Sequence, residues 1–190
     1  MGIEVKNLTK RFGEKTVFEN FSCFFPDGET TFIMGPSGCG KTTLLMLLMG
    51  LVPYDGGCIT GLENKRRSAV FQEDRLCLNV SAVSNLRLVN QDLTKKEAAD
   101  MLATLGLENE LHKPVREFSG GMRQRVSILR ALAAHYDVLF LDEPFHGLDM
   151  DMKMQTMRYF QQKTHDKTVI CVTHDSSEPE LLGGNILHLT

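Results

Sequence analysis

Short apolar stretches separated by turn residues open the chain. Residues 3–5, 16–25 and 30–34 are apolar or alternating, and Gly13 and Pro26-Asp27-Gly28 lie between them, the pattern of strands joined by tight turns. Residues 43–51 then read as a buried helix and 68–71 as an extended segment. Beyond that point the period lengthens. Thr94 and Glu97 form a Thr-x-x-Glu capping box, Ala98, Met101, Leu102 and Leu105 recur at helical spacing, and Gly106 supplies a stop. A second helix is predicted over 122–134, with Met122, Val126, Leu129 and Ala133 on one face. Residues 138–141 and 168–173 are continuous apolar or β-branched runs, which suits strands covered on both faces of a parallel sheet. The pattern predicts an α/β fold with a central, mainly parallel sheet, an N-terminal antiparallel β region and a helical insertion at about 74–121. No repeat, low-complexity tract or linker divides the chain, so a single domain over 1–190 is expected, its core at about 1–73 and 122–190.

Composition narrows the function classes. With 42% apolar and 24% charged residues, the chain resembles an ordinary globular domain. Its longest apolar run, Leu44 to Met49, is far short of the roughly 18 residues that a membrane-spanning helix needs. The N-terminus lacks the basic and apolar regions of a secretory signal, so a cytoplasmic address is expected. Five cysteines without a C-x-x-C pair suggest neither a disulfide framework nor a zinc site. A formal charge of −3 gives no broad basic footprint, and nucleic acid is not an expected partner.

Between the strand at 30–34 and the helix at 43–51 lies Gly35-Pro36-Ser37-Gly38-Cys39-Gly40-Lys41-Thr42. It matches G-x-x-x-x-G-K-[ST] in the strand-to-helix context that this phosphate-binding loop requires. The glycines let backbone N–H groups turn inward around a β-phosphate, and the following helix directs its positive dipole end at the same charge. Lys41 supplies a cation for the β- and γ-phosphates, the Thr42 hydroxyl a ligand for Mg²⁺, and Thr43 joins them as a nucleotide-binding position. Cys39 admits two readings, a redox-sensitive thiol or a small tolerated side chain.

The strand at 138–141 runs into Asp142 and Glu143. An apolar strand ending in two acids carries them to the carboxyl edge of the sheet, where open α/β folds bind ligands. Asp142 is suited to hold Mg²⁺, and Glu143 is the candidate general base that positions and deprotonates an attacking water. His174 follows the strand at 168–173 and emerges at the same edge, either near a γ-phosphate or as a structural hydrogen-bonder. His112, His135, His146, His165 and His188 show no metal-binding spacing.

Phe118-Ser119-Gly120-Gly121-Met122-Arg123-Gln124-Arg125 resembles the L-S-G-G-Q signature of ATP-binding cassette (ABC) ATPases and precedes the acidic strand, as in that family. Ser119 is a good N-cap, and Gly120 and Gly121 expose N–H groups at a helix start, a second anion site. The resemblance covers nearly the whole chain and implies a P-loop NTPase core with a helical subdomain inserted before the signature. It implies that Phe12 stacks on adenine with Val17 beside it, that Gln72 is the Q-loop glutamine serving catalysis and Mg²⁺, and that His174 is the H-loop histidine. It further implies a head-to-tail homodimer, in which Ser119, Gly120 and Gly121 bind the γ-phosphate held by the other subunit and Asp149 communicates across the interface. The chain departs from the family pattern in three places: Met122 replaces the signature glutamine, His146 and Gly147 replace small D-loop residues, and Pro179 follows Glu178 where importers have alanine. No C-terminal regulatory domain is expected after residues 186–189.

The resemblance therefore implies an ATP-hydrolysing transporter subunit, with ATP and Mg²⁺ as cofactors. It would work through separate membrane permease subunits as a peripheral protein at the cytoplasmic face of the inner membrane. Residues 70–76 resemble cassettes of bacterial uptake systems for nitrate, sulfonates and taurine, which favours import. Leu76, Cys77, Leu78 and Val80 either offer apolar contacts to a permease helix or fill the core. The alternative is a soluble ABC-type ATPase acting in DNA repair or translation. Those relatives carry a long coiled coil or two cassettes in one chain, and neither is present here.

Overall fold

The computed structural model describes residues 2–73 and 75–190; Met1, and Asp74 at the expected start of the helical insertion, lie outside the described residues. In chain order the strands are β1 (Ile3–Phe12), β2 (Lys15–Phe25), β3 (Thr30–Met34), β4 (Gly56–Thr60), β5 (Arg67–Val70), β6 (Val138–Asp142), β7 (Thr168–Val172) and β8 (Asn185–His188). The helices are α1 (Lys41–Leu48), α2 (Ala82–Val89), α3 (Lys95–Ala103), α4 (Gly120–Ala133), α5 (Met150–Lys163) and α6 (Ser177–Leu182). The chain groups into two compact units, Met1–Arg67 with Asp137–Asp142 and Asp166–Thr190, and Ser68–Tyr136 with Glu143–His165.

The first unit holds an antiparallel sheet of order β2-β1-β4. Its central strand buries Ile3 and Val5, then Leu8 and Lys10. The switch from odd to even positions coincides with a register irregularity between Val5 and Leu8, where Asn7 takes φ 49°. An extra residue in one strand of a pair flips the alternation in this way. The same unit contains the expected parallel sheet, with β6, β7, β3 and β8 side by side in that order. Every residue of β6 and β7 is buried, as their unalternating sequences predict. Helix α1 packs over β6 and β7 and buries Leu44, Leu45, Leu47 and Leu48.

The second unit is helical around Leu86, Leu102, Leu105, Val115, Phe118, Val126 and Leu129. Its helices start at side-chain caps. Ser81 accepts from Ser84 N at α2, Ser119 from Met122 N at α4, and Asp149 from Met152 N at α5. The Thr94–Glu97 capping box at α3 forms in full, and Gly106, at φ 68°, lies just beyond the end of that helix. Each such cap contributes about 1 kcal/mol. Helix α4 begins two residues earlier than the apolar pattern predicts, because Gly120 and Gly121 already belong to its first turn.

Candidate nucleotide-binding site

The parallel register lines up the ends of four strands. Asp142 stands beside Val172, Val172 beside Ile33, and Ile33 beside Leu187. Gly35 lies two residues past Ile33 and His174 two residues past Val172, so the glycine loop, the Asp142 carboxylate and the histidine all issue from one carboxyl edge. Asp142 is 4% exposed at the end of a wholly buried strand, and His174 is exposed.

The loop between β3 and α1 requires its glycines. Gly35 has φ 155°, and a Cβ there would lie 2.3 Å from the Leu189 carbonyl oxygen. Gly40 has φ 106°, and a Cβ there would lie 2.8 Å from Val17 Cγ1. No side chain caps α1, and its first internal bond runs from Leu44 N to Gly40 O at 2.8 Å. The N–H groups of Lys41, Thr42 and Thr43 therefore have no acceptor within the helix, and the helix dipole adds positive potential around them. Lys41 Nζ folds back over the loop, donating to Gly35 O at 2.8 Å and Pro36 O at 2.9 Å. Pro36, Ser37 and Gly38 are exposed, while Cys39 is half-buried. Open backbone donors, the Lys41 cation and the Thr42 hydroxyl fit a polyphosphate with a divalent cation.

The hairpin of β1 and β2 lies against this loop, because Gly40 meets both Val17 and Phe18. Phe18 pairs with Lys10 in the register, and Phe12, two residues on, projects from the same face of β1. Phe12 is 50% exposed at the hairpin turn. Lys10 is buried, with Nζ 3.7 Å from Asp55 Oδ2 and 4.8 Å from the centre of the Phe12 ring. The sequence reading passed over this lysine. Its signal was the alternation from Leu8 to Lys10, which carries the inward face of β1 onto a charged residue.

In the second unit, Glu143 follows β6 directly and takes φ 50°, and its carbonyl accepts from His146 N at 3.2 Å to close a tight turn. Gln72 is exposed just after β5, next to Phe71, whose ring stacks on the Arg75 guanidinium at 3.6 Å. At the start of α4, Ser119 Oγ accepts from Met122 N at 3.3 Å. A Cβ on Gly120 would meet nothing within 4 Å, whereas one on Gly121 would lie 3.5 Å from Gly147 O and 3.7 Å from Leu148 Cδ2. The signature turn and the segment leading to Asp149 are thus neighbours within one chain. Asp149 Oδ1 accepts from Met152 N at 3.0 Å and caps α5.

Two residues beside the signature, not singled out from sequence, fasten this arrangement. Arg125 donates through Nε to Gly121 O at 3.2 Å and through Nη1 to Leu105 O, and Gln124 donates to Pro144 O at 2.6 Å. Burial lowers the pKa of the Arg125 guanidinium, while the charges of Asp149 and Glu108 oppose that shift. Met122, at the signature's fifth position, is partly buried against the helical core, so an apolar side chain is accommodated there.

A family model described as ABC transporter matches residues 18–146 of the chain. The taurine import ATP-binding protein TauB of Escherichia coli O157:H7 is 36% identical over 203 residues, covering 99% of this chain and 79% of the relative. The aliphatic sulfonates import ATP-binding protein SsuB 3 of Rhodococcus jostii is 36% identical and covers 100% of this chain and 71% of the relative. The sulfate/thiosulfate import ATP-binding protein CysA of Burkholderia mallei is also 36% identical, and the chain spans 57% of its length. Among solved structures, the post-hydrolysis dimer of the ATP-binding cassette MJ0796 bound to ADP and Pi superposes with a TM-score of 0.85 at 27% identity. That match covers 99% of this chain and 94% of that one.

Proposed function

The chain belongs to the ABC transporter family, and from that premise we propose that it is the ATP-binding and ATP-hydrolysing subunit of a solute importer with separate membrane permeases. The observation that carries the reading is the register that sends the glycine loop, Asp142 and His174 to one sheet edge. The first-turn N–H groups of α1 receive phosphate oxygens, and Lys41 turns from the carbonyls of Gly35 and Pro36 to the β- and γ-phosphates. Thr42, Gln72 and Asp142 are the residues that would hold Mg²⁺, which when bound neutralises charge on the phosphate oxygens. Glu143 orients the water and takes its proton. The left-handed backbone of Glu143, costly for a residue with a Cβ, supports a functional role for it. His174 stabilises charge beside the transferred group, while Phe12 and Val17 hold the base.

The open space over Gly120 and the capped helix behind it suit a γ-phosphate presented by a second copy of the chain, with Asp149 close to that interface. Residues 1–190 act as one cassette, with a core of about 1–73 and 122–190 and a helical subdomain of about 74–121. A groove of about 500 Å³ lined by Val80, Ser84, Arg87, Leu88 and Gln91 gives the permease a docking surface. Its lining residue Leu88 is exposed, as is Leu78, two residues before Val80. No helix among the described residues is long and apolar enough to cross a membrane, which agrees with a peripheral place at the cytoplasmic face of the inner membrane. The importer names of the relatives favour uptake.

The test is a pull-down from detergent-solubilised membranes with Glu143→Gln and Mg-ATP holding the closed dimer. Co-purification of a multi-span permease, with a solute-binding protein alongside, is the expected result. Recovery of only ribosomal or DNA-associated proteins would favour the soluble ATPase instead.

A further inference from the structure

A lysine enclosed in a small hairpin is costly unless its charge meets compensating groups. Lys10 is 6% exposed, yet it lies one turn of the alternation from a half-exposed aromatic ring. Its ammonium meets two things: Asp55 Oδ2 at 3.7 Å, and the face of Phe12 at 4.8 Å from the ring centre. Asp55 is itself tied to this strand, accepting from Arg11 N at 2.6 Å and donating its own N–H to Thr9 O at 2.8 Å. The cation is therefore held from below, and one face of Phe12 is covered by it. Gly13, at φ 58°, forms the turn that follows, and a Cβ there would meet nothing within 4 Å.

We propose that Lys10 is a positioning residue for nucleobase binding: clamped by Asp55, its ammonium covers one face of the Phe12 ring and fixes the other as the platform for a purine. The inference rests on the reading of the glycine loop as an ATP site with Phe12 beneath the base. A fixed ring loses less rotamer freedom when a base stacks on it. A cation on one face also draws π density away from the opposite face, which strengthens stacking on an electron-rich purine.

The experiment compares binding of ATP and of inorganic tripolyphosphate, which carries the phosphates without a base, to the native chain, Lys10→Met, Lys10→Arg, Phe12→Leu and the Lys10→Met/Phe12→Leu double variant. Lys10→Met is expected to weaken ATP binding roughly threefold to thirtyfold, the range that cation–π energies imply. Tripolyphosphate binding stays unchanged and serves as the internal control for folding. Lys10→Arg restores ATP affinity, and in the Phe12→Leu background Lys10→Met has no further effect. Equal losses for ATP and tripolyphosphate, or an undiminished loss of ATP affinity in the Phe12→Leu background, would reduce Lys10 to a structural ion pair and overturn the inference. Failure of the native chain to bind either ligand would overturn the ATP-site reading itself.

Discussion

Gly40 of the phosphate loop lies directly against Phe18 of β2: a methyl group at Gly40 would stand 2.9 Å from Phe18 Cζ. One contact thus sets both the shape of the loop and the seat of the hairpin that carries Phe12 and Val17. Gly40→Ala faces a left-handed backbone, costing about 1–2 kcal/mol, and overpacking worth about 1–3 kcal/mol more. Chemical denaturation should show a loss of at least about 1 kcal/mol, accompanied by weakened binding of ATP. An alanine variant with native stability would contradict this packing.

The turn after β6 makes a separate prediction. Glu143 has φ 50°, a conformation open to glycine and strained for alanine. Glu143→Gly should be more stable than Glu143→Ala by about 1 kcal/mol, although both lack the carboxylate. Equal denaturation midpoints for the two variants would mean that the turn is not held in this conformation.

Asn85 is fully buried, and its side chain links three backbone groups. Its carbonyl accepts from Cys77 N at 2.9 Å, and its amide donates to Cys77 O at 3.0 Å and Ser81 O at 3.1 Å. The loop carrying exposed Leu78 and Val80 is thereby fixed. Asn85→Ala leaves those groups short of partners and should cost about 1–3 kcal/mol. Added to the Glu143→Gln background used in the pull-down, it should also reduce permease recovery. Unchanged stability would show that the network does not hold the loop.

Much of this was legible from the chain, and the failures have physical causes. The strand at 30–34 and the capping box at Thr94 and Glu97 appear as predicted, because both rest on local signals that tertiary contacts reinforce. Helix α5 leaves little trace in the sequence pattern. It buries only Thr156, Met157 and Phe160 along fourteen residues, so its apolar stripe is thin. Its start signal is Asp149, which caps the helix through Met152 N, a role compatible with a place near a subunit interface. Helix α2 hides similarly, with buried Asn85 standing where an apolar residue would have marked the face. Lys10 could not be found by type, since lysine is the residue least expected inside a fold. Only the strand's alternation pointed to it.

Stability should respond to acid through Asp137. Arg66 donates to this carboxylate from its backbone N at 2.8 Å and from Nε and Nη2 at 3.1 Å each. These bonds lower the Asp137 pKa to about 2, against about 3.9 for an unfolded aspartate. A depressed folded value adds stability that is complete above the unfolded pKa and is lost as the pH falls through the folded one. The window is therefore about pH 4 to 2. The pair is solvent-exposed, so the effect is small and shrinks with salt. Denaturation midpoints of Asp137→Asn should fall less steeply across that window than those of the native chain; parallel curves would rule the linkage out.

In the proposed function, ATP hydrolysis by this chain uses Glu143 as the base. The most direct measurement is phosphate release from Mg-ATP by the native chain and by Glu143→Gln, with ATP binding followed in parallel. The account predicts that the variant keeps its ATP affinity and turns over at least about 100-fold more slowly. Equal rates in the two proteins would contradict it.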